Sequence, residues 1–410
     1  MAEIKAFQGF RPRADLVERV AALPYDVYNR SEAKAEVERE PLSFLKVDRA
    51  ETQFEDSVDM YSPLVYQKAK ELLNTMIQDG IYIQEDRKVY YIYELTMEGR
   101  SQTGIVACAS IDDYQNNVIK KHENTREDKE MDRIHHVDIC NAQTGPIFLA
   151  YRAQTIIDEV VIRVKNEAPV YRFTSPDGIG HAVWVVDREP DIQQIQEGFR
   201  QVDRIYIADG HHRAASAVKV GLKRRAEHPD YNGTEEFNYF LSVLFPHDQL
   251  MIMPYNRVLK DLAGMTEDEF IAKLQKSFDV TKADAPVTPA KKAEFGMYLN
   301  QTWYYLTAHE DICKDDPVEG LDVSILQHEI FDKLLHITDP RTDKRIDFVG
   351  GIRGLKELER RANDDMCLAF SMYPTSILEL FGVSDAGLLM PPKSTWFEPK
   401  LRSGIFIHQL

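Results

Sequence analysis

Asp209-Gly-His-His-Arg213 crowds a carboxylate, a glycine, two imidazoles and a guanidinium into one short stretch. The apolar, β-branched run Arg204-Ile-Tyr-Ile-Ala208 leads into it, and an alanine-rich segment with helical spacing (Ala214, Ala217, Val218, Gly221, Leu222) follows at once. The pattern reads as strand, tight turn, helix. Such a turn sets Asp209, His211, His212 and Arg213 at a helix N-terminus, where unpaired N–H groups and the positive end of the dipole attract an anion, phosphate above all. Simple capping would account for Asp209 and Gly210. It does not account for two histidines and an arginine where cations are disfavoured, a local conflict more often found at functional sites.

Three further stretches offer chemistry. Between Lys120 and Asp138 charge is dense, and the plain reading is a solvated helix face. Yet Lys120, Lys121, His122 and Arg126 make a basic spot in an acidic protein, with the carboxylate of Glu123 among them. Neighbouring helical residues point about 100° apart, so neither His135-His136 nor His211-His212 can close on one ion, and no transition-metal site is expected from them. The segment Met390 to Gly404 is held extended by prolines and offers Lys393, Ser394, Thr395, Glu398, Lys400 and Arg402. Near the start, Leu23-Pro-Tyr-Asp-Val27 is an irregular apolar stretch whose Tyr25 and Asp26 could line a cleft.

The elements that must position these groups follow from periodicity. Leu64 to Ile77 has apolar residues in threes and fours and predicts a helix. Val89 to Thr96 and Thr103 to Ile111 predict a hairpin with a long loop, followed by strands at Val118 to Lys121, Pro146 to Tyr151, Pro169 to Phe173, His181 to Asp187 and Phe240 to Phe245. Helices fall between them without a regular βαβ repeat, so a doubly wound dinucleotide fold is disfavoured and the class is α+β with mixed sheets. With 410 residues, more than one domain is expected. Pro246-His247-Asp248 is the expected boundary, giving a catalytic domain 1–245 and a smaller α+β domain 246–410 whose terminal loop returns to the site. In that second part Thr266 to Glu269 reads as a capping box ahead of a helix through Phe278, and Val323 to Leu335 as an amphipathic helix.

A net charge of −17 argues against nucleic acid or an anionic membrane as partner. The four cysteines lack C-x-x-C spacing, no run approaches a membrane span, and no export signal opens the chain, so a cytoplasmic protein is expected. Oligomeric state is left open, a homo-oligomer included.

Together, Leu23-Pro-Tyr-Asp-Val27, Lys121-His-Glu-Asn-Thr125, Ile207-Ala-Asp-Gly-His-His-Arg213 and Met390-Pro-Pro-Lys-Ser-Thr-Trp-Phe-Glu-Pro-Lys400 resemble the bacterial and archaeal DUF1015 family over nearly the whole chain. The Asp-Gly-His-His-Arg motif is also similar to that of free L-serine kinases in the ParB/sulfiredoxin superfamily. Sulfiredoxins carry cysteine where His211 stands, so sulfinic acid repair is not expected. The resemblance implies a ParB/sulfiredoxin-like nucleotide-binding core and a kinase making O-phosphoserine from L-serine with ATP or ADP and Mg2+. In that scheme Lys121, His122, Arg126, Gly210, His211 and Arg213 hold the nucleotide phosphates, while Glu123, Asp209 and His212 are catalytic. Glu123 is favoured as base, and Asp209 is the candidate Mg2+ ligand. Asp26 would meet the substrate ammonium, and Lys393, Ser394 and Thr395 its carboxylate. The alternative is a regulatory protein that binds a nucleotide without net chemistry; a metal-dependent hydrolase built on the histidines is a third reading.

Overall fold

Runs rich in Val, Ile and Tyr become strands wherever turn residues bound them. In the computed structural model, which describes residues 1–410, they build mixed sheets packed by helices, an α+β protein. The chain divides into two units, Met1–Leu250 together with Pro399–Leu410, and Met251–Glu398. No helix is long and apolar enough to cross a membrane.

In the first unit one sheet takes Ile4–Lys5 (β1), Tyr90–Met97 (β2), Arg100–Ser110 (β3), Ile119–Lys120 (β4), Ile147–Tyr151 (β5), Tyr171–Thr174 (β6), Gly180–Val186 (β7), Ile205–Asp209 (β8) and Tyr239–Pro246 (β9). Its order is β4-β8-β5-β9-β3-β2-β7-β6, with β1 pairing on β3. Two neighbour pairs are parallel, β4 with β8 and β5 with β9. Every residue of β9 is buried, as a near-continuous apolar run in mid-sheet predicts. Each fully buried Phe or Leu there contributes about 1.5–3 kcal/mol. The β2–β3 hairpin is tighter than its sequence suggests. Glu98 and Gly99 take φ of 51° and 80°, the left-handed pair that suits strand twist, so Met97 pairs directly with Arg100 and no long loop remains.

Three helices of this unit matter for the site: Pro63–Gln78 (α1), Glu127–Cys140 (α2) and His211–Glu227 (α3). α1 turns Val65, Tyr66, Ala69, Leu73 and Met76 inward, matching its spacing. α3 buries a small-residue face of Ala214, Ala215, Ser216, Ala217 and Gly221. Gly221 is required there, because a Cβ would stand 2.4 Å from the carbonyl oxygen of Phe237. The Ser216 hydroxyl donates to the Glu130 carbonyl at 2.9 Å and ties α3 to α2.

The second unit has a sheet of Tyr255–Leu259 (β10), Phe278–Ala283 (β11), Glu294–Leu299 (β12), Thr302–Ala308 (β13), Ile346–Gly350 (β14) and Leu368–Met372 (β15), ordered β11-β13-β12-β15-β10-β14. Thr266 and Glu269 close the expected capping box, but the helix ends at Leu274 and Phe278 opens a strand. The helix expected from Val323 to Leu335 begins as Asp322–Leu326 and widens into a π-helical stretch, Gln327–Asp332.

Asp322 carries a stability prediction. Its Oδ1 accepts from the Ala293 N–H at 3.0 Å, Oδ2 has no partner, and burial pushes its pKa up to about 7. The native state therefore holds this proton to a higher pH than the unfolded chain, and its contribution to stability is lost as pH rises through about 7. Asp322→Asn removes that loss. By pH 8 the variant should exceed the wild type by about 2–4 kcal/mol, with no such gain at pH 4, read from thermal melts of both proteins. Equal pH dependence in the two would disprove a buried, proton-holding carboxyl.

Candidate active site

Parallel pairing of β4 and β8 sets Ile119 beside Ile205 and Lys120 beside Tyr206. Both chains therefore leave the sheet at the same end, and the Lys121–Glu123 stretch emerges beside the Asp209–His212 turn. The rings of His122 and His211 stand perpendicular with centroids 4.5 Å apart. Nδ1 of His211 is 3.9 Å from Oε2 of Glu123. One residue turn further, the backbone N–H of Arg126 donates to Nε2 of His212 at 3.0 Å, clasping the two segments.

Gly210 is the N-cap of α3 with φ 94° and ψ 33°. A Cβ there would be strained by that backbone and would meet the Arg213 guanidinium at 3.0 Å. Gly210 offers no side chain to cap the first turn of α3, and Asp209 precedes the N-cap. Arg213 is anchored by Nη1 donating to the Pro146 carbonyl at 2.8 Å.

The electrostatics are those of mixed charge held out of bulk water. Burial works to raise the Asp209 carboxyl, but Lys400, 3.2 Å from Oδ2, and Arg213 outweigh it and hold the group ionised well below the usual range. Burial pushes His122 down to about 4, and burial with the neighbouring His122 pushes His211 down too, so both imidazoles are neutral at neutral pH. His212 is also lowered by burial. Lys121 lies over the Tyr114 ring at 4.0 Å, and burial lowers its pKa. The side chain of Arg126 instead faces solvent and pairs with Asp128 at 2.8 Å.

Beside this turn lies a cavity of about 360 Å³, lined by Tyr25, Asp26, Arg49, Glu51, Asp132 and Arg133 among others. A smaller hollow shares Tyr25, Asp48, Arg133 and His136 with it and reaches Arg213 at the start of α3. Charged groups are buried here and paired. Arg133 Nη2 is 2.8 Å from Asp132 Oδ2, and its guanidinium lies 4.0 Å from the Tyr25 ring centroid. The Tyr66 hydroxyl donates to Asp132 at 2.9 Å, Arg49 pairs with Glu51 at 2.5 Å, and the Thr144 hydroxyl donates to Asp48 at 2.8 Å. Burial pushes Tyr25 up to about 12.

Asp26 is exposed on the short turn Tyr25–Val27 at the cavity, and its charge reaches His212. Lys393, Ser394 and Thr395 belong to the second unit. There the Ser394 hydroxyl donates to the Pro391 carbonyl at 2.6 Å and the Lys393 ammonium lies 5.7 Å from the Tyr255 ring centroid. Of the terminal cations it is Lys400, in the first unit, that meets Asp209.

Sequence reasoning passed over Asp48, Arg49 and Glu51, and gave Asp132, Arg133 and His136 no place in a site. A signal existed in α2: Glu130, Arg133, His136 and Cys140 recur at helical spacing and form its buried face. That stripe is polar, so a search for apolar periodicity reads it as surface.

These observations define an α+β protein with a cluster of charged and imidazole side chains at a strand-to-helix turn. The chain belongs to the family described as "Protein of unknown function (DUF1015)", matched over residues 4–324. No curated protein matches it. Among solved structures it is similar to a free serine kinase in complex with AMP at 14% identity, covering 72% of this chain and 86% of that one with a TM-score of 0.33. SbnI with C-terminal truncation from Staphylococcus aureus has 12% identity, coverage of 72% and 82%, and a TM-score of 0.37. A conserved hypothetical protein from Pyrococcus furiosus has 15% identity, coverage of 73% and 93%, and a TM-score of 0.33. Likenesses this distant speak to neither substrate nor chemistry.

Proposed function

We propose that the protein is a small-molecule kinase that transfers a phosphoryl group from ATP or ADP to the hydroxyl of free L-serine, forming O-phosphoserine. The observation that carries this reading is the meeting of a helix N-terminus that begins at glycine with an ionised Asp209, Lys400 and Arg213, beside a cavity lined by paired charges. Phosphoryl transfer asks chiefly for positioning and charge neutralisation, and these groups supply both.

In this scheme the N–H groups at the start of α3 bind the phosphates, and Lys400 and Arg213 balance their charge. Mg2+, when bound, neutralises charge on the transferring group. Asp209 fits as its ligand, being held ionised by Lys400 on Oδ2 and by the nearby Arg213. Glu123 accepts the serine hydroxyl proton as the oxygen attacks the terminal phosphorus and the bond to the leaving nucleotide breaks. His212, committed to the Arg126 N–H, positions the turn. A zwitterionic substrate needs both charges met once desolvated, and the cavity offers Arg133 and Arg49 for a carboxylate and Asp26 and Glu51 for an ammonium.

Purified protein incubated with Mg2+, L-serine and either ATP or ADP should accumulate O-phosphoserine, read by mass spectrometry. Tight nucleotide binding with no product from any hydroxyl amino acid would replace this reading with that of a nucleotide-binding regulatory protein.

A further inference from the structure

Two buried imidazoles face one another at the mouth of the turn with ring nitrogens that nothing satisfies. His122 is 3% exposed and His211 5%. His122 is held by a hydrogen bond with the backbone of Ile207, while its Nδ1 has no partner. In His211, Nε2 has none. A buried polar atom left unpaired costs about 1–3 kcal/mol, and two within one cluster call for a ligand common to both. The carboxylate of Glu123 completes the group: one ligand atom from each residue lies within 4.8 Å of the others.

We propose that His122, Glu123 and His211 bind a divalent first-row transition ion of the Zn2+ type. Neutral imidazole nitrogen is a ligand such ions favour and Mg2+ does not, so this site differs in chemistry from the Mg2+ position at Asp209. Tetrahedral ligands about 2.1 Å from an ion lie about 3.4 Å apart. Oε2 of Glu123 already stands 3.9 Å from Nδ1 of His211, near that spacing, and the side chain is 47% exposed. The backbone bond of His122 fixes its ring and aims the other nitrogen, as outer partners of metal ligands do. Three protein ligands leave a position open for water or a phosphate oxygen. Glu123 then gives one oxygen to the ion and keeps the second. The inference does not depend on the kinase reading.

The test uses full-length protein without a polyhistidine tag, stripped with chelator and titrated with Zn2+, with Co2+ as a spectroscopic substitute. Wild type should take up about one equivalent, and Co2+ should develop visible absorption of a low-symmetry site. His122→Ala, His211→Ala and Glu123→Gln should each weaken binding by at least about tenfold, while His135→Ala leaves it unchanged. Glu123→Gln alters a half-exposed side chain and keeps the test alive if a histidine variant fails to fold. Weaker binding in a folded variant supports the site. Absence of Zn2+ binding by wild type, or wild-type affinity in all folded variants, overturns it. Because metal content is read without turnover, protein that binds Zn2+ but forms no O-phosphoserine removes only the kinase reading, and the converse removes only this one.

Discussion

Asp209→Asn is expected to lower O-phosphoserine formation by about 10²–10⁴-fold while leaving the fold intact. Asparagine preserves the shape of the side chain and its place at the end of β8. It removes the charge that Lys400, 3.2 Å away, and Arg213 hold in the ionised form. Two cations then face an incoming polyphosphate with no anion to position them or to hold Mg2+. Lys400→Met attacks the same pair from the other side and should lose activity to a similar degree. Product yield by mass spectrometry and a thermal melt of each variant measure the two effects separately. Turnover undiminished in Asp209→Asn would remove this carboxylate from the chemistry.

The largest stability effect is expected at Arg133. The residue is 7% exposed, and its guanidinium pairs with Asp132 and lies over the Tyr25 ring. Arg133→Met fills much of the same volume but strands the Asp132 carboxylate with the Tyr66 hydroxyl as its main remaining donor. Removing one partner of a buried ion pair costs about 3–5 kcal/mol, whereas replacing both with apolar groups is often near neutral. Denaturant unfolding should show Arg133→Met losing an amount of that order, and Arg133→Met with Asp132→Leu recovering most of it. If the single variant unfolds with the wild type, the pair does not carry a buried charge in solution.

The parts of this architecture that were legible in sequence are those governed by local periodicity. A β-branched run, a glycine and an alanine-rich segment declare the strand, turn and helix at Ile205 to Glu227. Leu64 to Ile77 declares α1 in the same way. The hairpin was legible but not its turn, since whether Glu98 adopts a left-handed conformation depends on strand pairing as much as on its own preference. Parallel pairing of Ile119 with Ile205 leaves no local trace at all. Adjacent histidines on a helix cannot share an ion, within either pair. His122 and His211 come together instead because the sheet takes one histidine from each of two distant segments. The charged cavity was hidden for a different reason: Asp132, Arg133 and His136 are buried through pairing, which polarity alone cannot reveal.

The discontinuity of the first unit has a consequence for how the protein is made. Residues up to Leu250 leave the ribosome first, but Lys400 lies beyond the whole of Met251–Glu398. Until translation has passed that lysine, Asp209 has only Arg213 of its two cationic partners. The Asp209–Lys400 ion pair is thus completed only at the last stage of synthesis.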